Sequence, residues 1–221
     1  MKYLPVLGAV LMITAWPASP LGAAEAAPLR ILAFGDSLVH GYGLAAEETF
    51  PTQLELALER EGHRVEVLNA GNSGDTTAAG LARLDWALAD RPDLAIVELG
   101  ANDGLRGIDP GETYRNLDAI LKRLKAEGVA VLLAGMLAPR NLGADYTEAF
   151  DAVFPRLAEA HGVALYPFFL DGVAMQPELN QADGLHPNAA GVALLVERIL
   201  PSVVGLIDTL AESRGTEAAD G

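Results

Sequence analysis

The fold of this chain is decided by the segment Ile31-Leu32-Ala33-Phe34-Gly35-Asp36-Ser37-Leu38. Its apolar first half predicts a buried strand, and Gly35 then breaks the run. Ser37 therefore lies just beyond the carboxyl end of the first strand, at the edge where parallel α/β sheets bind ligands. A serine in that place can act as a nucleophile if the chain also supplies a base and oxyanion donors.

The rest of the chain alternates between strand and helix patterns. Short apolar runs predict strands over residues 29–34, 65–68, 94–99, 129–136 and 163–165, with helical spacing of leucines between them. This alternation predicts a single α/β domain with a parallel sheet, right-handed crossovers and helices on both faces.

Three proline-bearing or terminal segments carry further expectations. We expect one helix over residues 146–161, which Pro155 bends. The last helix should begin near Pro187 and be interrupted at Pro201. Residues 213–221 have the composition of a flexible tail.

The N-terminal segment predicts a secretory signal peptide over residues 1–26. Lys2 precedes an uncharged apolar run, and small residues follow, with cleavage expected after Ala24 or Ala26. An uncleaved anchor is the alternative, but the run is shorter than the roughly 20 residues that span a bilayer. We therefore expect one folded domain at residues 27–212, located in the periplasm or outside the cell.

The composition of the chain limits the classes of molecule that it is expected to bind. The formal net charge of −15 disfavours nucleic acid and anionic lipid faces as partners, and solubility is the preferred explanation of such a charge. The chain has no cysteine, so its stability depends on the core alone and not on disulfides. We expect a monomer with no stable membrane insertion once the signal peptide is removed.

Polar or glycine-rich loops follow the first three strands, and they carry Ser37, Gly71 and Asn102. In a parallel sheet these loops share one edge, and the segment Asp183-Gly184-Leu185-His186-Pro187 can reach it. Acyl transfer needs such a set: a serine nucleophile, a histidine base oriented by an aspartate, and donors for an oxyanion. The expected donors are the Ser37 and Gly71 N–H groups and the Asn102 amide.

Several residues have other interpretations. Ser73 is the alternative nucleophile, although its loop fits better as a source of backbone donors. His186 and Asp183 could form a turn before a helix, while a metal site lacks a third ligand at suitable spacing. Asp36 could be a second catalytic acid, but it fits better as a residue that fixes the nucleophile loop through hydrogen bonds to backbone N–H groups.

The motifs resemble those of the GDSL or SGNH hydrolase family. Gly35-Asp36-Ser37-Leu38, the Gly71 loop, Gly100-Ala101-Asn102-Asp103 and Asp183-Gly184-Leu185-His186-Pro187 are similar to four blocks of that family and occur in its order. Flanking stretches such as Gly80-Leu81-Ala82-Arg83-Leu84 are similar to its thioesterase, lysophospholipase and arylesterase members. The resemblance covers essentially all of the chain after the signal segment.

This resemblance implies a flavodoxin-like α/β/α sandwich of about five parallel strands without a metal or organic cofactor. It implies Ser37, Asp183 and His186 as the catalytic triad, with Gly71 and Asn102 as oxyanion partners. Asp36, Ala138, Pro139 and Leu185 are expected on the substrate side. Ala138 stands where the thioesterases have a larger apolar residue, so their acyl-chain preference should not be transferred.

Taken together, these observations predict a serine esterase and thioesterase that hydrolyses aryl esters, acyl thioesters and lysophospholipids through an acyl-enzyme. A carbohydrate or cell-envelope O-deacetylase of the same family is the first alternative. A non-catalytic binder of acyl groups is the second, and the complete set of triad candidates argues against it. Apolar loop residues could wall an acyl pocket or belong to the core: Leu137, Leu142, Tyr146, Phe168, Phe169 and Met175.

Overall fold

The computed structural model describes residues 27–220, with side chains described through Ser213. The predicted signal peptide lies outside the described residues. The last helix continues to Asp220, and the predicted mobility of the tail from Ser213 remains a prediction.

The described strands form one parallel sheet in the order β2-β1-β3-β4-β5. This order is that of a flavodoxin-like sheet and agrees with the predicted fold. The strands are β1 Leu29–Gly35, β2 Val65–Gly71, β3 Leu94–Glu98, β4 Ala130–Ala134 and β5 Ala164–Tyr166.

The α-helices lie in the connections between the strands, and the last helix follows β5. They are α1 Ser37–His40, α2 Phe50–Arg60, α3 Thr77–Leu88, α4 Ala101–Leu105, α5 Pro110–Ala126, α6 Ala144–Asp151, α7 Val153–His161 and α8 Ala189–Asp220. Short 3₁₀ turns lie at Ala46–Glu48, Arg140–Leu142 and Pro177–Leu179.

The helices pack on the sheet in two groups. α2 packs against α8, while α3 and α7 both pack against α5. The longer helices turn apolar residues inward, as α5 does with Leu117, Ile120, Leu121 and Leu124. The central strands β1 and β3 are apolar except for Arg30 near the start of β1 and Glu98 at the end of β3, because helices cover both of their faces.

Strand register brings the functional loops to one edge. Gly35 at the end of β1 pairs with Gly71 of β2 on one side and with Glu98 of β3 on the other. A side chain at Gly35 would lie 2.6 Å from the Glu98 carbonyl oxygen, so only glycine allows this close approach. The loops after these three strands therefore start side by side.

Two expectations about helices are wrong. The helix predicted over residues 146–161 is two helices separated at Ala152. Pro155 then lies in the first turn of α7, where its missing N–H breaks no intrahelical bond. By contrast α8 runs through Pro201 without interruption. Pro201 is exposed, and burial of Ile199 and Val203 on the opposite face holds the helix together across it.

Candidate active site

The nucleophile candidate is held by the sharp transition from β1 to α1. Asp36 is the N-cap of α1, and its carboxylate accepts the Leu38 N–H at 3.0 Å. Ser37 is the first residue of that helix, so its own N–H is one of the donors that an α-helix leaves unpaired. This hydrogen bond agrees with the predicted role of Asp36 in fixing the nucleophile loop.

The three triad candidates, which the chain separates by up to 149 residues, form one hydrogen-bonded row. Ser37 Oγ lies 3.0 Å from His186 Nε2, and His186 Nδ1 lies 2.7 Å from Asp183 Oδ2. The second Asp183 oxygen accepts the backbone N–H groups of Leu185 and His186 at 2.9 and 3.0 Å. The arrangement allows His186 to take a proton from Ser37 while Asp183 holds the imidazole in place.

Hydrogen bonding keeps Asp183 ionised. The bond from the His186 ring, followed by the backbone N–H groups of His186 and Leu185, lowers the pKa of Asp183 from 3.8 to about 2. The Asp183 carboxylate is therefore negative at neutral and mildly acidic pH.

Among the described residues, no histidine bonds to Ser73, the alternative nucleophile. His161 pairs instead with Asp118 at 2.9 Å, at the end of α7. His40 is exposed, and its ring nitrogen lies 3.3 Å from the Gly71 carbonyl.

The Asn102 amide, expected to stabilise an oxyanion, already has two acceptors. Its Nδ2 donates to Asp36 Oδ2 and to the Asp75 carbonyl, both at 3.0 Å. These bonds orient the amide at the start of α4, next to the triad. An oxyanion must share or replace one of them to receive a hydrogen bond from Asn102.

The Gly71 assignment does not fit the structure. The Gly71 N–H donates to Asn69 Oδ1 at 3.0 Å. A side chain at Gly71 would lie 2.1 Å from the His40 backbone nitrogen, so this residue packs against α1 rather than facing open space. The strand pattern ended β2 too early and left Gly71 in the loop, although it is the last residue of the strand.

Gly74, which the sequence interpretation passed over, has the free donor of this loop. Its φ of +86° is in the left-handed region, and its carbonyl accepts Arg106 Nη2 at 2.9 Å. Within residues 27–220, its N–H has no hydrogen-bond acceptor. A glycine two residues before Thr76, the N-cap of α3, is the sequence signal that could have found it.

Arg83 connects the end of β1 with the loop that follows β2. Its guanidinium donates to Asp75 Oδ2 at 2.6 Å and to the Gly35 carbonyl at 2.8 Å, and it lies over the Phe34 ring at 4.4 Å. Asp75 in turn accepts the Asn72 amide at 2.5 Å. The end of β1 and the loop after β2 are therefore tied through one side chain.

Two buried carboxyl groups lie behind the nucleophile. Asp36 has no exposed surface, which corrects its assignment to the substrate side. Burial raises the pKa of Asp36 to about 6, opposed by the hydrogen bonds from Leu38 and Asn102. Glu98 is also fully buried, and burial together with the charge of Asp36 raises its pKa well above the ordinary 4.5.

The titration of Glu98 predicts a pH-dependent stability. The unfolded chain releases the Glu98 proton near pH 4.5, whereas the folded chain retains it, so folding takes up a proton and stability falls as pH rises above that value. Glu98→Gln cannot ionise. We expect its melting temperature to match that of the wild type at pH 4 and to exceed it increasingly towards pH 8. Glu148→Gln on the exposed face of α6 is the control, and an equal gain there would contradict the assignment.

The predicted substrate-side residues differ in exposure. Leu185, beside His186, is 54% exposed, whereas Ala138 is 4% exposed and donates its N–H to Asp151. Pro139 packs towards Gly104 of α4. The buried side chain of Ala138 therefore offers a substrate little surface, which corrects its assignment.

Apolar side chains divide between rim and core. Leu137, Leu142 and Met175 are exposed, while Phe169 is buried against Phe50. A cavity of about 360 Å³ next to the catalytic loop is lined by Met175, Gln176, Pro177, Asn180, Gln181, Ala182 and Gly184.

Tyr42 packs on His186, the candidate base. Its ring lies 4.7 Å from the His186 ring at a tilt of 38°. We expect Tyr42→Ala to lower kcat by about 2- to 10-fold, since such ring pairs contribute about 0.5–1.5 kcal/mol, and Tyr42→Phe to retain kcat. Leu105→Ala, an exposed apolar change without a triad contact, is the control. Full activity of Tyr42→Ala on p-nitrophenyl butyrate would show that the ring does not position His186.

The amino-acid sequence of the chain is similar to those of known hydrolases. A model of the GDSL-like lipase/acylhydrolase family matches residues 33–194. Esterase TesA of Pseudomonas aeruginosa is 41% identical over 184 residues, 83% of this chain and 92% of the relative. Arylesterase of Vibrio mimicus is 40% identical, with the same two coverages. Thioesterase 1/protease 1/lysophospholipase L1 of Escherichia coli is 42% identical over 74% of this chain and 77% of the relative.

Solved structures agree in fold. A crystal structure of TesA superposes with a TM-score of 0.75 at 42% identity, covering 79% of this chain and 97% of the other. AlinE4, an SGNH-hydrolase family esterase, superposes with a TM-score of 0.70 at 48% identity, covering 83% and 98%.

Proposed function

Because the chain belongs to the GDSL-like lipase/acylhydrolase family and is a serine hydrolase of ester and thioester bonds, we propose that Ser37, His186 and Asp183 are its catalytic triad. The continuous row from Ser37 Oγ through the His186 ring to the Asp183 carboxylate supports this proposal. The low pKa of Asp183 supports it as well, since an ionised carboxylate stabilises the imidazolium that forms.

The reaction then has two balanced halves. Ser37 Oγ attacks the acyl carbon, His186 Nε2 takes the hydroxyl proton, and collapse of the tetrahedral intermediate expels an alcohol, phenol or thiol that recovers this proton. Water next attacks the acyl-enzyme and gives a proton to His186, which returns it to Ser37 as the carboxylic acid leaves.

The oxyanion hole is proposed to consist of the Ser37 N–H, the Gly74 N–H and the Asn102 amide. The two N–H groups have no acceptor among the described residues, so they are available to a developing negative charge. Asn102 contributes by turning one amide hydrogen from Asp75 or Asp36 to the oxyanion. Gly74 takes the place predicted for Gly71.

The apolar rim and the cavity beside Gly184 suggest esters with short to medium acyl chains or aryl groups as substrates. The test compares p-nitrophenyl esters from acetyl to palmitoyl with acyl-CoA thioesters and lysophosphatidylcholine. We expect kcat/KM to peak at short or medium chains. Activity confined to acetylated xylan would favour the O-deacetylase instead.

We place the mature enzyme in the periplasm or outside the cell, without nucleic acid partners and as a monomer. Among residues 27–220, one helix segment, Ala189–Ser213, is long and apolar enough to cross a membrane, but α8 packs against α2 and β4. This packing supports a core helix rather than a membrane anchor. The N-terminal sequence of the protein from a periplasmic fraction tests the predicted cleavage.

A further inference from the structure

Glu98 is a charged residue at the end of an otherwise apolar buried strand. It ends β3, where it pairs in register with Gly35 of β1 and Ala134 of β4. Its side chain has no exposed surface. The triad and the oxyanion donors make no use of it, yet a buried carboxyl group is costly unless its atoms are paired.

The contacts of Glu98 all lead to the nucleophile loop. Oε2 accepts the Asp36 N–H at 3.3 Å, and the two carboxyl groups also interact side chain to side chain. The space is closed, because a side chain at Gly35 would lie 2.6 Å from Oε2. Among the described residues, Oε1 has no hydrogen-bond partner when the group is treated as a carboxylate.

The protonation state of Glu98 decides whether its side chain can also donate a hydrogen bond. A carboxylate would place a second negative charge beside Asp36, in a site closed to bulk solvent, and would leave one oxygen unsatisfied. A neutral carboxylic acid carries one O–H donor, and the Asp36 carboxyl group is the side chain with which Glu98 interacts.

We propose that Glu98 is a positioning residue for ester hydrolysis: as a neutral acid it donates its O–H to the Asp36 carboxylate and accepts the Asp36 N–H. The inference rests on the proposed triad and oxyanion hole. Glu98 does not reach the substrate, and it acts through Asp36.

Asp36 passes this restraint to two parts of the site. One carboxylate oxygen accepts the Leu38 N–H and so fixes the first turn of α1, which begins at Ser37. The other accepts the Asn102 amide. Loss of the Glu98 contacts frees Asp36 to rotate, and both the nucleophile and an oxyanion donor lose their alignment.

The test compares Glu98→Gln with Glu98→Leu on p-nitrophenyl butyrate. Glutamine can accept the Asp36 N–H and donate to its carboxylate, so we expect kcat within about threefold of the wild type, whereas leucine can do neither and should lower kcat by at least about tenfold. KM should change by less than about threefold in both, because the substrate contacts remain. Ile96→Val, a mild change in the same buried strand, should retain kcat. It tests whether looser packing of β3 would by itself lower kcat while the Glu98 contacts remain.

Infrared difference spectra measure the protonation of Glu98 directly, and they do not need a folded leucine variant. Wild type minus Glu98→Gln should show the carbonyl stretch of a protonated carboxylic acid at neutral pH. Absence of that band overturns the proposal, as does full kcat in Glu98→Leu or an equal loss in the glutamine variant. Ser37→Ala measured in parallel separates a failure of this inference from a failure of the proposed triad.

Discussion

Ser37→Ala is expected to lower kcat for p-nitrophenyl butyrate by roughly 10⁶-fold, the loss typical of removing a triad nucleophile. Without Oγ no acyl-enzyme forms, and only residual catalysis by the oxyanion donors remains. The second readout is covalent labelling by a fluorophosphonate, which requires an activated serine and should disappear in the variant. Folding should persist, because Asp36 and not Ser37 supplies the side-chain cap of α1.

Ser73→Ala is the matched control. Ser73 lies in the loop after β2 and bonds to no described histidine, so its variant should retain both activity and labelling. The reverse result, with full activity in Ser37→Ala and loss in Ser73→Ala, would move the nucleophile to the second loop.

Asp183→Asn should lower kcat by about 10³- to 10⁴-fold with little change in KM. The carboxylate orients the His186 ring at 2.7 Å and stabilises the imidazolium in the transition state, and an amide cannot supply that negative charge. Because the pKa of Asp183 is about 2, its carboxylate stays ionised on mild acidification, and activity lost there does not report protonation of Asp183.

The chain offers a second aspartate–histidine pair as a control for this change. Asp118 contacts His161 at 2.9 Å, away from the sheet edge that holds Ser37. Asp118→Asn should leave kcat unchanged. A loss below about tenfold in Asp183→Asn would mean that His186 is held mainly by its other contacts, among them the Tyr42 ring.

The sheet could be predicted because its signals are local. Each central strand is a short apolar run bounded by glycine or polar residues, and the structure has these strands within a few residues of the expected positions. Pro155 and Pro201 show the limit of that reasoning. Whether a proline ends a helix depends on its distance from the helix start and on the burial of its neighbours, which local pattern does not reveal.

The site was predictable in its chemistry and less so in its atoms. Ser37, Asp183 and His186 could be chosen from motif order, and the structure brings them within hydrogen-bond distance. The choice of Gly71 over Gly74 failed, since it depends on which N–H is already bonded. Glu98 passed unnoticed because a single acid within a strand reveals its contacts only once the chain has folded.

Apolar periodicity and loop motifs are properties of neighbouring residues, so they were enough to predict the α/β fold, the family and the residue types at the edge that holds Ser37. The tertiary structure alone decided which donors are free, why Asn102 points at Asp36, and which carboxyl groups lose contact with water. Those properties arise from atoms that are distant in the chain, as Asp36, Asn102 and Glu98 are, and that meet only when the strands align. Burial then sets the charge of each carboxyl group, because desolvation acts on the folded surroundings and not on the neighbours in sequence.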